Sequence, residues 1–238
     1  PVMARLSRLG RRIARALDAA RAPWRAVRMI DTTDDLEGAY ALRTPEDSVR
    51  YYRDWAARYD RDFAAAMDYR GPEAVAATFA ALGGVGPVLD IGAGTGLVAE
   101  ALARVSIGPI DAIDISAEML AVAAAKGLYR RKIQADLTGP LPMGNCVYSG
   151  LISAGTFTHG HVGPEVFDEL LRIAAPGALF TVTVHAGVYA SGGFASRFTA
   201  LGERITAFRS EPFRIYGPEA TGTHADDTGW IVSFRKAA

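Results

Sequence analysis

Residues 88–102 read VLDIGAGTGLVAEAL. A short β-branched and apolar run ends in Asp90. Gly92, Gly94 and Gly96 follow at alternate positions, and LVAEAL then restores helical spacing. That order predicts a buried strand, a tight glycine turn and a helix packed back on the strand. Glycines at such a turn permit backbone conformations closed to other residues and let a ligand approach the main chain. The dinucleotide fingerprint asks for glycine or alanine five residues after the first glycine, and here that position is Leu97. Spacing therefore disfavours a nicotinamide-dependent dehydrogenase. Asp90 just before the turn suits a ligand with a positive end, whereas a pyrophosphate cradle favours uncharged donors at a helix N-terminus.

Working C-terminally, the same alternation recurs. PIDAIDIS gives a strand ending at Asp114, and the following helix has Ser116 as N-cap and Gly127 just past its end. RKIQADL is a third strand closing near Asp136, CVYSGLISAG a fourth, and ALFTVTVHAG a fifth. A proline-started helix at 164–177 joins the last two, and residues 138–145 are too short for a full helix. GFASRFTALGERI reads as a helix, and PFRIYG and GWIVSFRK as a closing strand pair around a turn-rich loop. Strands alternating with helices give an α/β fold: a Rossmann-like sheet, mostly parallel with an antiparallel last strand, and helices on both faces. Ligands in open sheets of this kind bind at the carboxyl ends of the strands. Asp90, Asp114 and Asp136 all sit there. A carboxylate at Asp114 can accept both hydroxyls of a ribose, and Asp136 can reach an exocyclic amino group of adenine. Together with the glycine loop they describe a pocket for a cationic adenosyl ligand.

N-terminally, residues 31–85 form a helical cap or lid, and 86–238 the core. Thr44-Pro45-Glu46-Asp47 is a helix start. DSVRYYRDWAARYDRDFAAAM (47–67) continues it as one helix, placing Tyr52, Trp55 and Tyr59 on one stripe, and Gly71-Pro72 ends it. EAVAATFAALG is a second cap helix. Residues 1–30 carry eight arginines and one acid, Asp18, as a basic amphipathic helix interrupted at Pro23. This arm suits an anionic surface (membrane, nucleic acid or an acidic partner), has the composition of a mitochondrial targeting peptide, or is simply a solvated helix, the reading preferred here. The chain is neutral overall, so the body outside the arm is mildly acidic and no nucleic-acid partner is expected. No apolar run approaches the roughly 20 residues of a bilayer span. The single cysteine, Cys146, is expected to be buried and reduced in a strand, and a cytoplasmic setting fits. Alanine- and arginine-rich composition with only three lysines suggests a GC-rich bacterial genome.

The motifs resemble those of class I S-adenosylmethionine-dependent methyltransferases: VLDIGAGTGLVAEAL their first motif, IDAIDISAEML the second-strand motif, and ADL, LISAG and LLRIAAPGALF the later ones. VRYYRDWAARYD is similar to the leading helix of small bacterial methyltransferases and of the Williams–Beuren-region methyltransferase-like proteins, where it closes over the cofactor. The resemblance covers about residues 45–238. It implies S-adenosylmethionine as cofactor, with Gly92, Ala93, Gly94 and Gly96 along its methionine part and Asp114 at the ribose. It places Asp136 and Leu137 at the adenine, with Ile115 and Met119 packed on the ring and Tyr52, Trp55 and Tyr59 in the lid. Asp90 and Ser153 join this cofactor set. Two positions depart from the family pattern: Tyr148-Ser149 stands for Tyr-Asp, and Pro176-Gly177-Ala178 for Pro-Gly-Gly.

The loop after the fourth strand faces the methyl group in this family. The Asn/Asp-Pro-Pro-aromatic motif of base or glutamine methylation is absent from it. His159 and His161 are the candidate general bases, with His185 at the end of the fifth strand as a further one. Two histidines two apart lack a third ligand at supporting spacing, so no metal is expected. The implied activity is methyl transfer to O, N or S of a small-molecule acceptor. The alternative is a catalytically silent S-adenosylmethionine-binding module acting through a partner.

Overall fold

A computed structural model describes residues 38, 39, 42, 44–160 and 162–238. The basic arm, most of the linker after it, and His161 lie outside the described residues. The elements in order are α1 (Pro45–Trp55), a π-helical turn (Tyr59–Ala65), α2 (Gly71–Ala81), β1 (Val88–Ile91), α3 (Leu97–Arg104), β2 (Ile110–Asp114), α4 (Ala117–Ala125) and β3 (Tyr129–Gln134). They continue with β4 (Tyr148–Phe157), α5 (Val166–Ile173), β5 (Ala174–His185), the short α6 (Ala186–Tyr189), α7 (Phe194–Leu201), β6 (Ile205–Arg214) and β7 (Thr228–Lys236).

One sheet of seven strands runs β3-β2-β1-β4-β5-β7-β6. The first five strands are parallel, and β7 pairs antiparallel with both β5 and β6. Strand alternation sorts the core. Val88, Ile110, Ala112 and Ile152 face α2, α3 and α4, meeting Phe79, Val98, Leu102 and Leu120. Leu89, Ile91, Ile113 and Leu151 face the other way, toward Phe167, Leu170, Phe194 and Phe198 of α5 and α7. Both faces are covered, as an all-parallel centre requires. The order reverses between β1 and β4, so the crevice at their carboxyl ends is the natural ligand site.

Four sequence expectations change here. The single helix over 47–67 is broken: α1 stops at Trp55, and the chain resumes as the π-helical turn. Packing of Trp55 edge-on to Tyr59 at 4.9 Å and against Phe63 at 5.1 Å sets that path. α2 is a layer of the body rather than a cap, because Val75 and Phe79 are fully buried against the sheet. β6 begins at Ile205, seven residues before PFRIYG, extending the strand through an exposed polar stretch with no alternation to announce it. Cys146 is exposed, ahead of β4 and at φ 58°, and takes no part in the core. As expected, no helix forms between β3 and β4. No helix among the described residues is long and apolar enough to cross a membrane.

Candidate active site

The turn after β1 is held from beneath. Thr156 Oγ1 and Ser153 Oγ both donate to the Ile91 carbonyl, at 2.9 and 2.7 Å. Gly92 sits on this pair at φ 63°, and a Cβ there would run into Thr156 Oγ1. Gly94 N donates to Asp114 Oδ2 and Ser116 N to Asp114 Oδ1, both at 2.8 Å. Asp114 thus ties the glycine loop to the start of α4. Burial raises its carboxyl pKa above the usual range, against the pull of these N–H donors.

Above the loop is a cavity of about 140 Å³. Its walls include Gly92, Ala93, Gly94, Asp114, Ile115, Met119, Asp136 and Leu137, with Tyr52 and Tyr59 from the cap. Those ten sequence-nominated positions converge on one space. Asp136 is exposed and its Oδ1 accepts Thr138 N at 2.8 Å, while Leu137 and Met119 are buried apolar walls.

The other nominated positions fall elsewhere. Asp90 points with Val88 toward the helices of its face, by strand alternation. There its Oδ2 accepts the Tyr129 hydroxyl at 2.5 Å, and it is fully buried. Burial, with Asp114 adding repulsion and the Tyr129 hydroxyl opposing, pushes the Asp90 carboxyl up to about 7. Gly96 caps α3 at its N-terminus and Ser153 lies beneath the loop, so neither lines the cavity. Trp55 lines a second, adjoining cavity instead.

This second cavity, about 60 Å³, shares Tyr52, Tyr59, Tyr69 and Gly155 with the first. Trp55, Phe63, Phe157, Phe213 and Tyr216 complete most of its wall, with Thr158, Thr183 and His185 as the polar contributions. Gly155 stands at the junction with φ 84°, and a Cβ there would come within 2.7 Å of the Tyr69 phenol oxygen. His159 lines neither cavity. Its ring lies edge-on to His185 at 4.8 Å. His185 Nδ1 accepts Gly187 N at 3.0 Å, and its Nε2 stands 3.4 Å from Asp227 Oδ2. His224 Nδ1 is 3.0 Å from the same carboxylate oxygen. Burial lowers the His185 pKa more than Asp227 restores it, which keeps the ring neutral near neutral pH.

The cap is latched across the site. Thr95 of the glycine loop donates to Asp60 of the π-helical turn, and Lys126 beyond α4 bonds the other Asp60 oxygen at 2.7 Å. Tyr69 forms an isolated antiparallel bridge with Tyr216, fastening the far end. Sequence reading missed Tyr69, Tyr216 and Phe213. They are single aromatics in unremarkable local context, and only the cap's path past the end of β6 brings them together.

Residues 88–177 match the family described as Methyltransferase domain. The match covers the segment from β1 to the start of β5, and the sheet order agrees with the fold of S-adenosylmethionine-dependent methyltransferases. Human methyltransferase-like protein 27 is 31% identical over 153 residues, and the match spans 62% of this chain and 62% of that protein. Among solved structures, the [4+2]-cyclase SpnF is similar at TM-score 0.61 and 18% identity, over 83% of this chain and 97% of that one. The DhpI–SAH complex follows at TM-score 0.58 and 20% identity, over 81% and 97%. A SAM-dependent methyltransferase from Aquifex aeolicus has TM-score 0.55 and 18% identity, over 76% and 97%. These structural likenesses are of fold.

Proposed function

We propose that the protein is an S-adenosylmethionine-dependent methyltransferase acting on a small-molecule acceptor. In this reading the first cavity takes the cofactor and the second takes the acceptor. The observation that carries it is the pair of cavities meeting at Tyr52, Tyr59, Tyr69 and Gly155, one walled by the glycine loop and strand-end carboxylates and the other by aromatic rings.

The residues present fit the cofactor. Asp114 offers carboxylate lone pairs at the end of β2 for ribose hydroxyls. Ile115, Met119 and Leu137 make an apolar slot with Asp136 at its rim, suited to a flat base with an exocyclic amine. Gly94 has no atom within 4 Å of the place its Cβ would occupy, so the loop leaves room for the ligand. When bound, S-adenosylmethionine supplies an electrophilic methyl group on a sulfonium. The chain's part is to hold the acceptor in line and exclude water, for which the latched aromatic cap is suited. Oxygen, nitrogen and sulfur acceptors are all compatible with this geometry. The nearly neutral composition and enclosed aromatic wall favour a small molecule over a polymer.

The test follows S-adenosylhomocysteine formation from labelled S-adenosylmethionine with a pool of soluble metabolites. Label appearing in a small organic product supports the reading. Cofactor binding with no turnover on any fraction would favour the silent binding module.

A further inference from the structure

The second cavity combines three features that restrict its occupant. Its wall is aromatic on most sides: Trp55 packs edge-on to Tyr59, and Phe63 lies 6.0 Å from Tyr216. No lysine, arginine, aspartate or glutamate lines it among the described residues. Its one titratable imidazole, His185, is kept neutral, with both ring nitrogens turned to protein groups, the Gly187 N–H and the Asp227 carboxylate. A charged ligand would be desolvated here without a counter-charge, which is costly.

Two polar groups in the same wall are unsatisfied. Trp55 is 2% exposed and its Nε1 has no hydrogen-bond partner among the described residues, and Thr158 Oγ1 is buried and likewise without one. Buried donors without partners are rare in folded proteins and call for a ligand or water to complete them. An indole N–H can only donate, and a threonine hydroxyl can donate or accept. The complement is a ligand oxygen.

We propose that the second cavity binds an uncharged single-ring aromatic compound bearing a hydroxyl or carbonyl oxygen, held by Trp55 Nε1–H and the Thr158 hydroxyl and stacked among the aromatic walls. This rests on the reading of the first cavity as the cofactor site, because that places the ring beside the transferable methyl group. Neither His159 nor His185 presents a ring nitrogen to this cavity, so the chain's part there is positioning rather than base catalysis by a histidine.

The test uses fluorine NMR on the full chain with three probes: 4-fluorophenol, 4-fluorobenzoate and fluorobenzene. Saturating S-adenosylhomocysteine is added, and its binding is first confirmed by calorimetry. The phenol is expected to bind at least about tenfold more tightly than the anionic benzoate. In Trp55→Phe and Thr158→Val, binding of fluorobenzene should be retained while the preference for 4-fluorophenol over it falls about fivefold, the loss of a hydrogen bond. Benzoate binding as tightly as phenol, no phenol binding to the wild-type chain, or an unchanged phenol-to-fluorobenzene ratio in both variants would each overturn the proposal. Failure of S-adenosylhomocysteine to bind would instead overturn the cofactor reading on which it rests. Thr158→Val is near-isosteric and Trp55→Phe keeps an aromatic ring at the wall, and calorimetry with S-adenosylhomocysteine reports whether each variant is folded.

Discussion

Asp90 offers a quantitative test of how the glycine loop is supported. Its carboxyl is fully buried under the loop, one oxygen accepts the Tyr129 hydroxyl and the other has no partner. Burial pushes it from 3.8 up to about 7. A carboxyl whose folded pKa is raised contributes its full share of stability below its unfolded value. That share is lost as pH rises through the folded value, because the native state must hold a proton that the unfolded chain has released, and beyond it carry a buried charge. The window therefore runs from about pH 4 to pH 7. At 1.36 kcal/mol per pH unit, the displacement is worth roughly 4 kcal/mol. Asp90→Asn keeps an oxygen for Tyr129 and removes the ionisation. Urea unfolding should find the ionisation giving the variant an advantage of about 1 kcal/mol at pH 4.5 that grows to about 4 kcal/mol at pH 8. Titrations common to both chains cancel in the difference. Tyr129→Phe removes the hydrogen bond that holds the carboxyl down, so it should carry the loss of stability to higher pH. A stability difference between Asp90→Asn and wild type that is the same at pH 4.5 and pH 8 would refute the reasoning.

Asp114→Ala should weaken S-adenosylhomocysteine binding by about 1–3 kcal/mol in calorimetry, since it removes both a ligand acceptor and the tether on Gly94. In Gly92→Ala the φ of 63° and the collision with Thr156 act together. Thermal unfolding should show a loss that Thr156→Ala relieves only in part, leaving about 1–2 kcal/mol for the backbone. Asp60→Asn breaks the contact with Lys126, so hydrogen exchange over 45–70 should quicken and S-adenosylhomocysteine affinity should fall severalfold. His159→Ala, whose side chain lines neither cavity, should lose less than about tenfold in turnover once an acceptor is in hand, against the 10²–10⁴-fold loss that removal of a general base brings.

Legibility in the sequence followed locality. The glycine loop, the strand-end aspartates and the alternation of elements are each set within a few residues, so their spacing marked Gly92, Gly94, Asp114 and Asp136, and the family resemblance supplied the other six nominated lining positions of the first cavity. Asp90 shows where this stops. The same motif that nominates it places it on a strand, and alternation then decides which way it faces, a question answered only when β3 brings Tyr129 alongside. The histidines show it too. Their place after β4 put His159 on the correct edge of the sheet, yet its packing on His185 turns it from the cavity.

The sequence by itself determined the sheet's alternating build, the crevice at its carboxyl edge and the chemistry of the glycine loop, because hydrophobic period, turn glycines and helix caps act over short stretches of chain. Only the tertiary structure decided the second cavity. Tyr69, Phe213 and Tyr216 come from segments up to 147 positions apart in the chain, Trp55 and Tyr59 come from a helix that breaks where periodicity called for continuity, and Thr158 lies at the end of β4. No local pattern encodes their meeting. It arises when the cap, latched by Asp60 and bridged through Tyr69, is folded down against the last strands, and the balance of packing against backbone propensity is settled only by those long-range contacts.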